Sequence, residues 1–351
     1  MEKKLNTITY YDNVAGLRAF ASIGIVMMHV LSNGGYELEG FLFKEMIPSF
    51  TDLVFLFMMI SSFSMCCGYY EKMLSGKMDL NKFYRKRFSK IWPFFALLTM
   101  IDIFISPSLE AVFEGFANLT LCFGLLPNAR ISVIGVGWTL GVIFVFYLLF
   151  PFFCFLMSDV RRRWLTMAIA FLMNIACRFY FFDEAHVVSD FSSRSNFMYC
   201  AVYFVAGGIA WHYKDLLQRA FGKLFCAVVL AVAVISAVAY FMCGKSTVLM
   251  LSMYSAVLLY AVGRKDNKGL LNNKVVTYIS SLSMEIYLCH MVVFRIIEKF
   301  GLLRLASNES LSYLLAVTTT CLGSLVFTIV VRYLCSKIRA IVYFCDILAL
   351  L

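Results

Sequence analysis

Charge is what this chain has least of. Asp, Glu, Lys and Arg make up 15% of its 351 residues, where soluble domains carry about 25%. A soluble fold needs that charge to cover its surface, so an ordinary cytosolic enzyme is excluded. Disorder is excluded as well, because 62% of the chain is hydrophobic. Proline is scarce, with five residues. No Pro/Ser-rich linker or shift in composition separates a second domain, so 1–351 reads as a single membrane-embedded domain with a short tail over 336–351. The 20 glycines show no collagen-like period. The 12 cysteines include no C-x-x-C pair and lie mostly in apolar segments. They read as small buried hydrophobes, and no metal site is expected. Arg18 interrupts the first apolar run and no small-x-small site follows Lys3 and Lys4, so a cleaved leader is not expected.

What is present is apolar sequence in lengths that suit a bilayer. A helical crossing needs about 20 apolar residues. Ten stretches qualify, near 14–33, 49–70, 91–106, 135–157, 164–182, 197–213, 221–242, 246–263, 278–298 and 311–335. An eleventh, 110–127, is weaker, being interrupted by Glu114, Gly115, Asn118 and Gly124.

Basic residues decide whether that stretch crosses. The net charge of +10 points to positive-inside loops, with no nucleic-acid partner. If 110–127 does not cross and the N-terminus is cytoplasmic, most of the 31 Lys and Arg fall inside. Lys3 and Lys4, the cluster between 72 and 90, Arg161–Arg163, Lys265 and Lys268 are among them. The outer segments keep Lys44, Arg130, Arg194, Lys245, Lys299 and Arg304. A crossing at 110–127 would flip every later loop and erase the bias. The expectation is an all-α polytopic protein of the plasma (cytoplasmic) membrane. It is a ten-helix transmembrane bundle with both termini cytoplasmic, and 110–127 lies at or dips into the outer surface.

Ionisable groups inside such spans are costly and invite a functional reading. In the first span Arg18 and His29 are 11 residues apart, which places both on one helix face about 16 Å apart along the axis. Ser22 shares the stripe. Span boundaries give rough depths above the inner face. Arg18 and Glu285 fall at about 6 and 10 Å, close enough to pair, with Ser61 and Tyr147 at about 12 Å. His290 and His29 come next at about 18 and 22 Å, and Trp138 at about 25 Å. Asp102 and Asp52 are the acids within range of an imidazole. His212, at an inner helix end, and His186, in an outer loop, read as solvated.

These residues fall in motifs. Arg18 is followed by His29. Ser61, Ser62 and Phe63 stand in the second span, then Arg87 and Lys90 before Pro93. Trp138, Thr139 and Leu140 precede Phe146, Tyr147 and Pro151. Ser283, Ile286, Tyr287, Leu288 and His290 come late. In this order, from Val14 to about Phe294, the chain resembles the integral-membrane acyltransferase-3 family, whose members O-acylate cell-surface sugars. Ala15 stands where many members have Asp, Lys90 replaces an Arg, and Ile143 and Phe144 stand where many have acids.

The resemblance implies transfer of an acyl group, with acetyl expected, from cytoplasmic acyl-CoA. The acceptor is a hydroxyl of a cell-surface polysaccharide or lipid-linked sugar. Acetyl-CoA is then a co-substrate, and the partners are the glycan and the bilayer. His29 is the expected general base, its imidazole suited to neutral pH, and Arg18 compensates developing charge or fixes the donor arm. Arg85, Lys86, Arg87 and Lys90 are expected on the CoA phosphates. Trp138, Tyr147, Glu285, Tyr287 and His290 are expected around the substrates. Plainer readings stand beside these. Arg18 can snorkel, Trp138 can anchor at the interface, and the 82–90 cluster can be an inner loop obeying its charge bias. The alternative function is a proton-coupled secondary transporter of a sugar or acyl compound.

Overall fold

The computed structural model describes residues 11–350 apart from 122, 126–134, 188–190 and 265–268, with side chains to 337. Lys3, Lys4, Arg130, Lys265 and Lys268 of the charge pattern lie outside the described residues.

Among the described residues twelve helices carry the fold. They are α1 (Asp12–Asn33), α2 (Leu42–Leu74), α3 (Leu80–Ile105), α4 (Leu109–Leu119), α5 (Trp138–Met157), α6 (Val160–Phe181), α7 (Phe197–His212), α8 (Lys214–Ala220), α9 (Lys223–Cys243), α10 (Thr247–Gly263), α11 (Lys274–Lys299) and α12 (Glu309–Leu350). Local chemistry sets their starts. The side chains of Asp79, Ser108, Asp159, Asn196, Ser246, Asn273 and Asn308 each accept a bond from a first-turn backbone N–H, satisfying donors the helix cannot.

Eight of these helices (α1, α2, α3, α5, α6, α9, α11 and α12) are long and apolar enough to cross a membrane. The expected sixth and eighth spans, α7 and α10, have 16 and 17 residues, fewer than the usual 20 or so. Large apolar side chains on α6, α9 and α12, such as Leu172, Ile235 and Val326, face outward. A water-exposed surface does not present such a belt, and the chain is a multi-pass integral membrane protein.

Interhelix bonds show how the rods alternate. Near the start of α1, Arg18 meets Ser64 late in α2, and Ser280 early in α11 bonds the Ala15 carbonyl. Toward its far end, His29 meets His290, and Tyr313 early in α12 bonds the Met27 carbonyl. So α11 runs with α1, and α2 and α12 run against it. Small residues permit these approaches. A Cβ on Gly16 would run into the Leu271 carbonyl, and one on Gly207 of α7 would run into that of Met59 on α2.

The stretch 110–127 departs from a plain surface segment. Helix α4 has 11 residues, too few to cross, and it folds back along α3. Gly115 meets Ile103 and Thr99, and the Trp92 indole donates to the Leu119 carbonyl at 3.0 Å. Phe113 and Phe116 face outward. The chain then returns through Phe123–Leu125, where Gly124 lies against the Gly141 backbone of α5. Helices α3 and α4 thus form a hairpin, and α4 does not cross.

Two boundaries move in ways that matter. Helix α3 starts at Leu80, about three turns before the expected span, so the basic cluster is helical and not a loop. Helix α12 continues to Leu350, so the expected tail is an extension of the last rod. Helix α2 is irregular, with wide π-type turns at Leu42–Met46 and Cys66–Tyr70. Such turns add a residue to the local repeat and re-aim the side chains beyond them.

Candidate active site

A cavity of about 220 Å³ opens between α1, α2, α3, α5 and α11. Each helix contributes residues at helical spacing. From α2 come Phe57, Ser61, Ser64, Met65 and Tyr69, and from α5 Ile143 and Tyr147. From α3 come Arg87, Lys90, Ile91 and Phe94, one stripe at i, i+3, i+4 and i+7. That spacing explains which members of the basic cluster arrive. Arg87 and Lys90 line the cavity. Arg85 and Lys86 are exposed and absent from its lining, with the Lys86 ammonium 5.9 Å from the Tyr69 ring centroid.

The polar lining is held in place. Arg18 donates to Ser64 Oγ at 2.8 Å and to the Ile60 carbonyl at 3.4 Å. Arg87 donates to the Tyr69 hydroxyl, and its guanidinium carbon lies 4.6 Å from that ring. Ser61 Oγ and the Tyr147 hydroxyl are 3.3 Å apart. Three cations (Arg18, Arg87 and Lys90) and one carboxylate, Glu285, line this space. The expected pairing of Glu285 with Arg18 is not what forms. Arg332 of α12 takes the carboxylate, its Nε at 2.9 Å and its Nη2 also bonded. Arg332 lies on the antiparallel neighbour of α11, where it reaches Glu285 without entering the lining. The cavity is therefore net positive and suits an anionic ligand. Its volume admits a slender arm, not a whole nucleotide. A second recess of about 400 Å³ shares Lys90, Phe94 and Glu285 with it and extends past Arg332 and Ser336.

Further along α1 a second group gathers. The rings of His29 and His290 stand 5.1 Å apart between centroids. His290 is fully buried. Tyr287 is buried beside it, with its hydroxyl 2.8 Å from Thr139 Oγ1 and donating to the Val136 carbonyl at 3.0 Å. Trp138 opens α5 and is overlain by the Arg194 guanidinium at 5.3 Å. Arg194 also donates to Thr51 Oγ1 at 2.5 Å. Neither expected acid orients an imidazole through a contact in this group. Asp52 accepts from the Tyr240 hydroxyl at 2.5 Å and pairs with Lys245 at 3.3 Å. Asp102 has no bond to either histidine.

The two groups are linked by aromatic rings. Phe57, at the cavity wall, meets Tyr287 at 5.9 Å, and Tyr287 meets His290 at 5.9 Å. The cavity lining stops at Phe57 and Leu288, short of His29. His212 is not simply solvated as expected, since its ring packs on Tyr70 and Trp211. His186 is exposed, 2.6 Å from Asp183. Among the described residues no group of three or more His, Cys, Asp or Glu is placed to hold a metal.

Sequence reasoning missed Arg332 and Arg194 as site residues. The second left a signal: it is one of the few cations that the charge pattern assigns to an outer segment. Comparison with protein families matches an acyltransferase domain, that of the acyltransferase 3 family, to residues 11–333. No curated protein and no solved structure matches.

Proposed function

Because the chain belongs to the acyltransferase 3 family, and is thereby a membrane-bound acyltransferase, we propose that it moves an acetyl group from cytoplasmic acetyl-CoA to a glycan hydroxyl. The acceptor is a cell-surface polysaccharide or its lipid-linked precursor. The membrane is the plasma membrane, and both termini are cytoplasmic.

The donor arm occupies the cavity, its phosphates held by Arg87 and Lys90 toward the cytoplasm and its pantetheine threaded past Arg18. The shared recess beyond Lys90 receives the nucleotide. The acceptor reaches His29 from the opposite end, over Trp138 and Arg194. His29 removes the hydroxyl proton, the oxygen attacks the thioester carbonyl, and the C–S bond breaks as the C–O bond completes. The proton returns to the departing sulfur, leaving an ester and free CoA. Passage of the thioester from cavity to His29 requires the Phe57 and Tyr287 rings to part.

One observation carries this reading. A single helix puts Arg18 in a cationic cavity and, three turns on, an imidazole whose ring nitrogens have no hydrogen-bond partner among the described residues. The unpartnered ring supports a base waiting for a substrate proton. The carrier considered as an alternative gives way to the family. The test is an NMR comparison of acetyl esters on surface glycans from cells making wild type, His29→Ala, or neither. Wild type alone should add esters. Equal ester content in all three ends the proposal.

A further inference from the structure

A general base needs its second ring nitrogen oriented, and a buried carboxylate is the usual means. Among the described residues no carboxylate contacts His29. The group that stands in that position is another imidazole. His290 lies 5.1 Å from His29 between ring centroids. Its Nδ1 is 2.6 Å from the Tyr287 carbonyl oxygen. A carbonyl only accepts, so Nδ1 carries the hydrogen and Nε2 of the neutral ring is a bare acceptor. That Nε2 is fully buried and has no partner among the described residues. An unmet acceptor in such a place pays its full desolvation cost, which calls for an explanation.

The spacing supplies one. Two imidazoles joined by an N–H···N bond of ordinary length have centroids about 5 Å apart, from a nitrogen separation of about 2.9 Å plus two ring radii. The rings already stand at that distance, tilted by 43°. A rotation of the His29 side chain, whose nitrogens are unengaged, completes the bond.

We propose that His290 is the positioning residue for His29, a neutral acceptor in the place of the triad acid. The inference rests on His29 being the base. In the reaction one His29 nitrogen takes the acceptor hydroxyl proton while its other N–H donates to His290 Nε2. No proton passes to His290. The bond fixes the tautomer and ring direction of His29 and spreads the charge it gains. The tautomer of His290 is set in turn by its own helix, through the Tyr287 carbonyl.

The experiment uses the full-length protein in proteoliposomes with acetyl-CoA and isolated surface polysaccharide, reading CoA thiol release and glycan esters. His290→Leu removes the acceptor. His290→Gln keeps an oxygen at the Nε2 position, and His290→Asn keeps a donor only near Nδ1. The expected result is a kcat roughly tenfold to a hundredfold lower for Leu, with KM for acetyl-CoA unchanged. Gln should recover much of the loss and Asn none. If Leu retains wild-type kcat, or if Asn recovers as well as Gln, the ring serves packing and the proposal fails. Should Leu not fold, the contrast between Gln and Asn decides alone. His29→Ala run in parallel separates the two readings. Activity in that variant removes the base itself, whereas its loss beside a normal His290→Leu removes only the positioning role.

Discussion

Arg332 on α12 holds the carboxylate of Glu285 on α11 at the wall shared by the two recesses. The carboxylate side chain is 11% exposed and the guanidinium 41%. Removing one partner of a fully buried pair costs about 3–5 kcal/mol, and an exposed pair is worth about 1 kcal/mol or less. Arg332→Ala should therefore destabilise the protein by roughly 2 kcal/mol, between those limits. Adding Glu285→Ala should restore part of that. Unfolding midpoints of the single and double variants in detergent measure the coupling, and strict additivity would show that the pair contributes nothing.

The basic cluster on α3 divides by helical phase. Arg87→Ala should raise KM for acetyl-CoA about tenfold, the scale of a charge-assisted bond of about 1.5 kcal/mol, while Arg85→Ala stays within about twofold. Both variants lose the same charge, so an equal effect would mean that only the general potential matters.

Arg18 bonds a hydroxyl and a carbonyl of α2 at once. Both bonds leave Nη2, and a lysine keeps the charge but lacks the further planar donors of the guanidinium. Arg18→Lys should lower kcat/KM at least tenfold with unchanged expression and unfolding midpoint. Wild-type kinetics in that variant would reduce Arg18 to a point charge.

Two close approaches, one of α1 to the turn before α11 and one of α7 to α2, admit nothing larger than glycine. Gly16→Ala and Gly207→Ala would each drive a methyl group into a backbone carbonyl, which cannot rotate away as a side chain can. Overpacking of this kind costs about 1–3 kcal/mol. Lower yields of folded protein are expected for both. Gly68→Ala, with open space around the position, is the control and should behave as wild type.

Sidedness can be read from native thiols. Cys243 is exposed at the end of α9, and Cys335 lies on α12 near the Arg332 end. A membrane-impermeant maleimide should label Cys243 in intact cells and reach Cys335 only after permeabilisation. The reverse pattern would invert the bundle.

Helical phase made much of this site legible. Arg18 and His29 fall on one face because the helix repeat is fixed, and Ser61, Tyr147 and Glu285 line one cavity with Arg18 because span ends place them at similar depths. The same rule would have sorted Arg87 from Arg85 had the start of α3 been placed at Leu80. It was misplaced because a run of basic and polar residues looks like a loop when judged by hydropathy, although Asp79 caps a helix there. The Glu285–Arg332 bond was hidden for another reason. It joins neighbouring rods 47 residues apart, and no local period predicts which side chains antiparallel helices bring together. Arg194 was hidden by irregular backbone, where neither phase nor depth can be computed.

Helix α7 lies inside the bundle, buried along most of its length, yet its 16 residues span only about 24 Å against a hydrocarbon layer of about 30 Å. An interior post shorter than the layer around it draws the segment before it into the bundle, where Arg194 lies over the Trp138 ring and bonds Thr51. For the acyl transfer we propose, that recession leaves the acceptor hydroxyl a shorter stretch of the layer to cross.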